Sequence, residues 1–279
     1  MKKSIVWLAS YPKSGNTWTR AFLANYLTNA RTPVPINQMH RFAMGDSIGR
    51  TYAMVAGRQI DINDIDLTLR LRDAVLRGIV NNDADINLVK THNSRLPARG
   101  VDLIPETYTR AAIYILRNPL DMVLSYARHY GLEHDEAALQ ITHHDNANAP
   151  DRDGDTVAQF LGSWSDHVDS WTNGAAQYPV LVLRYEDLLE DPHRHFTRAV
   201  EHLGVPVDAE RLDRAIRFSS FDELSAQERE HGFVERSDES ARFFGRGQRD
   251  QWKADLAPRI VKRIKRSQRR MMAKHGYLE

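Results

Sequence analysis

Four short runs constrain the fold of this chain more than any other feature. "SIVWLAS" (4–10), "INLVK" (86–90), "AAIYILR" (111–117) and "VLVLRY" (180–185) are almost continuously apolar. A strand with one wet face alternates apolar and polar residues; an unbroken run instead fits a strand buried on both faces of a parallel sheet. Helical spacing fills the segments between them. Trp18, Phe22, Leu23, Tyr26 and Leu27 form one stripe, and Ile65, Leu69, Val75, Leu76 and Ile79 form another within 64–80. "NPLDMVLSYARHY" opens with Asn118 as a cap, Pro119 in the first turn and Asp121 near the positive end. Phe160, Trp164, Val168 and Trp171 mark a further stripe. Strands alternating with helices predict a doubly wound α/β fold with right-handed crossovers. No repeat or low-complexity linker divides the 279 residues, so a single domain over 1–279 is expected.

Each run ends in a polar or cationic group: Lys13 just past the first, Lys90 on the second, Arg117 on the third, Arg184 and Tyr185 on the fourth. Ligands of open parallel sheets sit outside the carboxyl ends of the strands. The formal net charge is only +1, which argues against a general nucleic-acid binder, so any anion site must be local. There is no cysteine, which excludes disulfides and thiolate metal sites. No run approaches the ~18 apolar residues of a membrane span, and "MKKSIVWLAS" is too short in its apolar part for a secretory signal. A cytoplasmic protein is the expectation.

The first run continues into "YPKSGNTW" (11–18). A strand–turn–helix unit aims backbone N–H groups at one point, and the helix dipole favours an anion there. Gly15 allows close approach, Ser14 and Thr17 offer hydroxyls, and Lys13 supplies charge. The loop reads as a phosphate cradle, although the lysine precedes the glycine and so departs from G-x-x-x-x-G-K-[ST], and Ser-Gly-Asn also makes an ordinary turn. In "VKTHNSRLP" (89–97), Lys90 and His92 stand two apart and project to one side of an extended chain. A lysine lowers the pKa of a neighbouring imidazole and makes His92 a candidate general base, against the alternative of a surface histidine.

"YPKSGNTW", "KTH", "LRNPLDMVLSY", "LGSWSDHVDSWT", "RYEDLLEDP" and "FFGRGQRDQW", in that order, resemble the sulfotransferases that use 3′-phosphoadenosine 5′-phosphosulfate (PAPS). The similarity extends from about residue 4 to about residue 255. It implies a P-loop-like parallel sheet, PAPS as co-substrate with its bisphosphate as product, and no required metal. Lys13, Ser14, Gly15, Asn16 and Thr17 would bind the 5′-phosphosulfate, with Trp18 on adenine. Arg117 and Ser125 would hold the 3′-phosphate. Tyr185, Ser219 and Phe221 would contact adenine, and Arg246 and Gly247 would close over the 3′-phosphate. His92 would act as base, with Lys90 and Lys13 stabilising charge in transfer to a hydroxyl or amine of a small molecule. Where the family reads Arg-Lys-Gly, this chain reads Gly245-Arg246-Gly247, which leaves the clamp to Arg246 with help from Arg249. No Lys-Thr-Val-Glu-type dimer segment is found, so a homo-oligomer is neither implied nor excluded. The alternatives are a P-loop phosphotransferase using ATP and magnesium, and a non-catalytic nucleotide-binding module.

Three stretches carry weaker signals. Residues 131–155 hold three histidines and many acids without metal-ligand spacing, and read as a solvated loop that acts as a lid or selects the acceptor. Met39, Phe42, Met44, Tyr52 and Met54 could line an apolar acceptor pocket or simply pack beneath a loop. The basic segment near the C-terminus reads as an amphipathic helix with Ile260, Ile264 and Met271 inward, rather than a membrane or nucleic-acid contact.

Overall fold

Ile5–Ser10 (β1) is buried along its whole length, as its unbroken apolar run requires. The computed structural model describes residues 3–149 and 156–278. After β1 come α1 (Asn16–Leu27), a 3₁₀ turn at Ile36–Arg41, β2 (Met44–Gly45), α2 (Gly49–Ala56), α3 (Ile65–Val80), β3 (Asn87–Thr91) and β4 (Thr109–Leu116). The chain continues through α4 (Pro119–Tyr130), α5 (His134–Thr142), β5 (Ala147–Asn148), β6 (Gln159–Phe160), α6 (Trp164–Thr172) and β7 (Val180–Arg184). Helices α7 (Tyr185–Glu190), α8 (Pro192–His202), α9 (Ala209–Phe218), α10 (Phe221–His231), α11 (Trp252–Asp255), α12 (Pro258–Ser267) and α13 (Arg269–Lys274) complete it.

The main sheet is parallel with order β2-β3-β1-β4-β7. The α/β expectation holds, and the alternation within β1 shows why both its faces had to be apolar. Ile5, Trp7 and Ala9 face a core built with α3, α4 and α6, while Val6 and Leu8 face α1, α8 and α9. In β4, Ala112, Tyr114 and Leu116 join the first core, and Ala111, Ile113 and Ile115 the second. Strand β7 differs: as the edge strand it is only partly buried, apart from Leu183.

Local signals produced the expected ends. Asn118 accepts from Leu120 N at 3.0 Å to cap α4, and Asp64 caps α3 by accepting from Leu67 N at 2.9 Å. Ile260, Ile264 and Met271 point inward from α12 and α13. Phe160 lies in β6 instead of the α6 stripe. The expectation of a plain loop over 131–155 needs correction. Glu133 and Glu136 form a capping box that starts α5, and Ala137, Ala138 and Ile141 are fully buried; residues 150–155 lie outside the described residues. No helix among the described residues is long and apolar enough to cross a membrane.

The register brings the carboxyl ends of the strands level, with Leu8 beside Lys90, Ser10 beside Ile115 and Leu116 beside Arg184. A buried ion pair fixes the β3 end. Arg72 on α3 donates to Asp46 Oδ2 at 2.7 Å and to Leu103 O at 2.7 Å. The same carboxylate oxygen accepts from Thr91 Oγ1 at 2.7 Å and Asn93 Nδ2 at 3.1 Å, on either side of His92. Burial would raise the Asp46 pKa, but Arg72 and the hydrogen bonds from Arg72, Thr91 and Ser47 pull it below the usual value. A carboxyl depressed by folding stabilises above its unfolded pKa and loses that contribution as pH falls through the folded one. Asp46→Ala leaves Arg72 buried without a counter-charge and should cost about 3–5 kcal/mol in urea unfolding. The wild-type protein should approach the variant as pH is lowered below about 4; an unchanged urea midpoint in the variant would contradict this role.

Candidate active site

The loop after β1 turns sharply because two residues take left-handed backbone: Lys13 at φ 67° and Gly15 at φ 104°. A side chain at Gly15 would place its Cβ 2.7 Å from the Tyr185 ring, so only glycine lets the loop pass there. Asn16 ties the start of α1 back to the strand, donating to Leu8 O at 2.9 Å and Ser10 Oγ at 3.3 Å. No side chain caps the helix, which leaves its first N–H groups available.

These elements open on a cavity of about 1180 Å³. Lys13, Gly15, Asn16, Thr17 and Trp18 line it from the loop and α1, and Lys90 and His92 from β3. Arg117, Ser125, Tyr185, Phe221, Arg246 and Gly247 line it as well. Four expected residues are placed differently. Ser14 is buried behind the loop with its hydroxyl unpartnered. Ser219 is fully buried and donates to Ala215 O at 2.8 Å, whereas its neighbour Ser220 lines the cavity and caps α10. Arg246 reaches the wall but pairs with Asp255 at 3.0 Å, and Arg249 turns away to Glu190 at 3.0 Å.

His92 is held from both sides. Its Nδ1 lies 2.8 Å from Ser10 O, an atom that can only accept, so Nδ1 carries the proton and Nε2 keeps a lone pair. Its own carbonyl accepts from His167 Nε2 at 3.0 Å, and the Asn93 carbonyl accepts from Trp171 Nε1 at 3.2 Å. Burial, reinforced by Lys90, pulls the His92 imidazole down to about 3, so it is neutral in the ordinary pH range.

The positive charges are unevenly matched. Lys90 donates to Glu235 at 3.0 Å, and Arg20 donates to both oxygens of that carboxylate at 2.7 and 2.8 Å. Burial alone would raise the Glu235 pKa, but Arg20 and Lys90 hold it well below the carboxylate range. The Lys13 ammonium has no hydrogen-bond partner and sits 3.4 Å from the centre of the Phe243 ring. Burial lowers it to about 7; Glu235 opposes the shift, and Arg128, Lys90 and Arg117 deepen it. Arg117 donates to Lys13 O at 3.1 Å and lies over the Tyr185 ring at 4.4 Å, with Nε unpartnered. Trp18 meets Tyr185 edge-on at 5.7 Å. Among the described residues, no group of three or more His, Cys, Asp or Glu side chains is arranged to hold a metal ion.

Residues 3–276 match the profile of the sulfotransferase domain family. The chain belongs to that family. It is 26% identical over 224 residues to sulfotransferase 1B1 of Mus musculus, covering 77% of this chain and 63% of that one. It is 28% identical over 226 residues to sulfotransferase 1E1 of Mus musculus, covering 78% and 64%. The chain thus spans a little under two thirds of the length of these curated relatives. Its fold matches mouse sulfotransferase SULT7A1 complexed with PAP at 19% identity and TM-score 0.60, over 98% of this chain and 86% of that one. Retinol dehydratase in complex with androsterone and inactive cofactor PAP matches at 17% identity and TM-score 0.65, over 98% and 81%.

Sequence reasoning missed several wall residues of this sulfotransferase domain. Glu235 and Phe243 reach the loop from far along the chain; Phe243 opens the "FFGRGQRDQW" segment, but nothing local shows that it meets Lys13. His129 lies in the last turn of α4, pulled down to about 3 by burial and the charges of Lys13 and Lys90, with Nδ1 unpartnered. Met39, Phe42, Met44, Tyr52 and Met54 lie outside the cavity wall; Met39 and Tyr52 are buried in the core, and Met54 is 74% exposed.

A lysine that titrates near 7 makes anion binding depend on pH. Sulfate, whose own charge is constant here, should bind about tenfold more weakly as pH rises from about 6 to about 8.5, because neutral Lys13 no longer attracts it. In Lys13→Arg, charged throughout, the profile should be flat. Isothermal titration checks this; a flat wild-type profile would contradict it.

Proposed function

We propose that this domain transfers a sulfuryl group from PAPS to a hydroxyl or amine of a small molecule, with His92 as general base. The observation that carries the reading is a neutral imidazole on the wall of a cavity where Lys13 and Arg117 stand without a carboxylate partner. Nδ1 of His92 is committed to Ser10 O, so Nε2 is the ring atom left to accept a proton. On the same cavity wall, Lys13 and Arg117 carry buried polar atoms without partners, Nζ and Nε. Buried polar atoms are normally satisfied, so such a cluster fits a bound polyanion.

Bound here, PAPS would supply the activated sulfuryl group. Lys13, the amides that open α1, and Thr17 would hold its 5′ end, while Trp18, Tyr185 and Phe221 would flank the adenine. Arg117 and Ser125 would take the 3′-phosphate. His92 Nε2 would receive the proton of the acceptor, and Lys13 and Lys90 would stabilise negative charge beside it. Lys90 reaches that role from its pairing with Glu235, which opposes the lowering of its pKa by burial. The acceptor would occupy the side lined by His129, Tyr130, Leu132, Gln140 and Asn148. The stretch expected to choose the acceptor therefore contributes to the wall through Leu132 and α5.

Adenosine 3′,5′-bisphosphate at about 100 times its Kd, without magnesium, should raise the melting temperature by roughly 5–10 °C. ATP with magnesium should do so much less. His92→Ala should lower turnover of PAPS over an acceptor panel by about 100- to 10,000-fold while bisphosphate affinity is kept. Stabilisation by ATP and magnesium alone would favour a phosphotransferase. Undiminished turnover in His92→Ala would remove the assigned base.

A further inference from the structure

Gly245 lines the cavity against the guanidinium of Arg128. A Cβ built there would fall 2.4 Å from Arg128 Nη2 and 3.0 Å from Arg128 Cζ. The guanidinium of Arg128 therefore fills the space that any larger residue at 245 would claim. Its Nη2 lies 3.4 Å from Ser125 Oγ, one turn back on α4, and both residues line the cavity with Arg117. Arg246, by contrast, is paired with Asp255 at 3.0 Å, with its side chain 54% exposed.

We infer that Arg128, seated in the notch left by Gly245, supplies the second guanidinium of the 3′-phosphate subsite, in place of Arg246. The assignment rests on the nucleotide reading above and adds to it the residue that distinguishes a 3′-phosphorylated nucleotide from one without that group. Among the described residues Arg128 is paired with no carboxylate. The acid nearest in effect, Glu228, is occupied by the backbone N–H groups of Phe243 and Phe244 at 2.5 and 2.9 Å. Burial lowers the Arg128 pKa, and the charges of Arg242, Arg117 and Arg246 lower it further, with Glu228 opposing them. A phosphate dianion between Arg117, Ser125 and Arg128 would relieve that repulsion, and planar guanidinium groups suit phosphate oxygens. Glycine at 245 follows as a requirement: the loop must pass close above the guanidinium without displacing it.

The test is isothermal titration of adenosine 3′,5′-bisphosphate and of adenosine 5′-monophosphate into wild type, Arg128→Ala, Arg246→Ala and the double variant Arg128→Ala/Gly245→Arg. Wild type should prefer the bisphosphate. Arg128→Ala should weaken bisphosphate binding by about 10- to 100-fold, as expected for loss of a charge-assisted contact, and leave the monophosphate unchanged. Arg246→Ala should lose less, and the double variant should regain preference because an arginine from 245 then enters the vacated space. Unchanged discrimination in Arg128→Ala would overturn the inference and leave the nucleotide reading standing. Equal weakening of both ligands, with a lowered melting temperature and no recovery in the double variant, would assign Arg128 a structural role and also overturn it. A wild type that does not distinguish the two nucleotides would take down the nucleotide reading itself.

Discussion

Positive charge buried without a counter-ion governs this structure. Moving an ammonium out of water is costly unless it is paired or loses its proton. Lys13 shows the strain of that position: its ammonium rests on the face of Phe243, has no hydrogen-bond partner, and titrates near 7. Lys90 and Arg20 instead share the carboxylate of Glu235, although burial still lowers the Lys90 pKa. The protein thus holds one part of its positive rim internally neutralised and another part open. An arriving polyanion gains most at the open part.

The fold makes this arrangement affordable by keeping the cost away from the core. Both faces of β1 and β4 are sealed by aliphatic and aromatic side chains, so polar groups collect only where the strands end. The Asp46–Arg72 pair and the α6 side chains His167 and Trp171 then fix the backbone on which His92 sits. Those contacts do not touch the cavity contents. They set the direction of one imidazole, and through its bond to Ser10 O they set its tautomer as well.

The legible parts of the fold were those written locally. Unbroken apolar runs marked the four long strands of the sheet, and Asn118 and Asp64 marked helix starts with their own side chains. The two-residue strand β2 is too short to leave a period. Helix α5 escaped notice because its buried face is two alanines and one isoleucine amid acids and histidines, and its start is set by a Glu133–Glu136 capping box. At the site, the loop and the strand ends could be read because each is one segment. Glu235, Phe243 and Arg128 could not: their parts depend on a return of the chain over the cavity, and on backbone at Gly245 passing close to a helix. Ser219 and Ser220 show the limit at single-residue scale, since a helix ending and another starting decide which hydroxyl meets the cavity.

The central claim is that one doubly phosphorylated nucleotide spans the open part of the rim. A crystal structure with adenosine 3′,5′-bisphosphate tests it most directly. The 5′-phosphate should lie against Lys13 and the start of α1, and the 3′-phosphate against Arg117, Ser125 and Arg128, in one continuous molecule. A nucleotide bound with either phosphate in solvent, or bound outside this cavity, would contradict it.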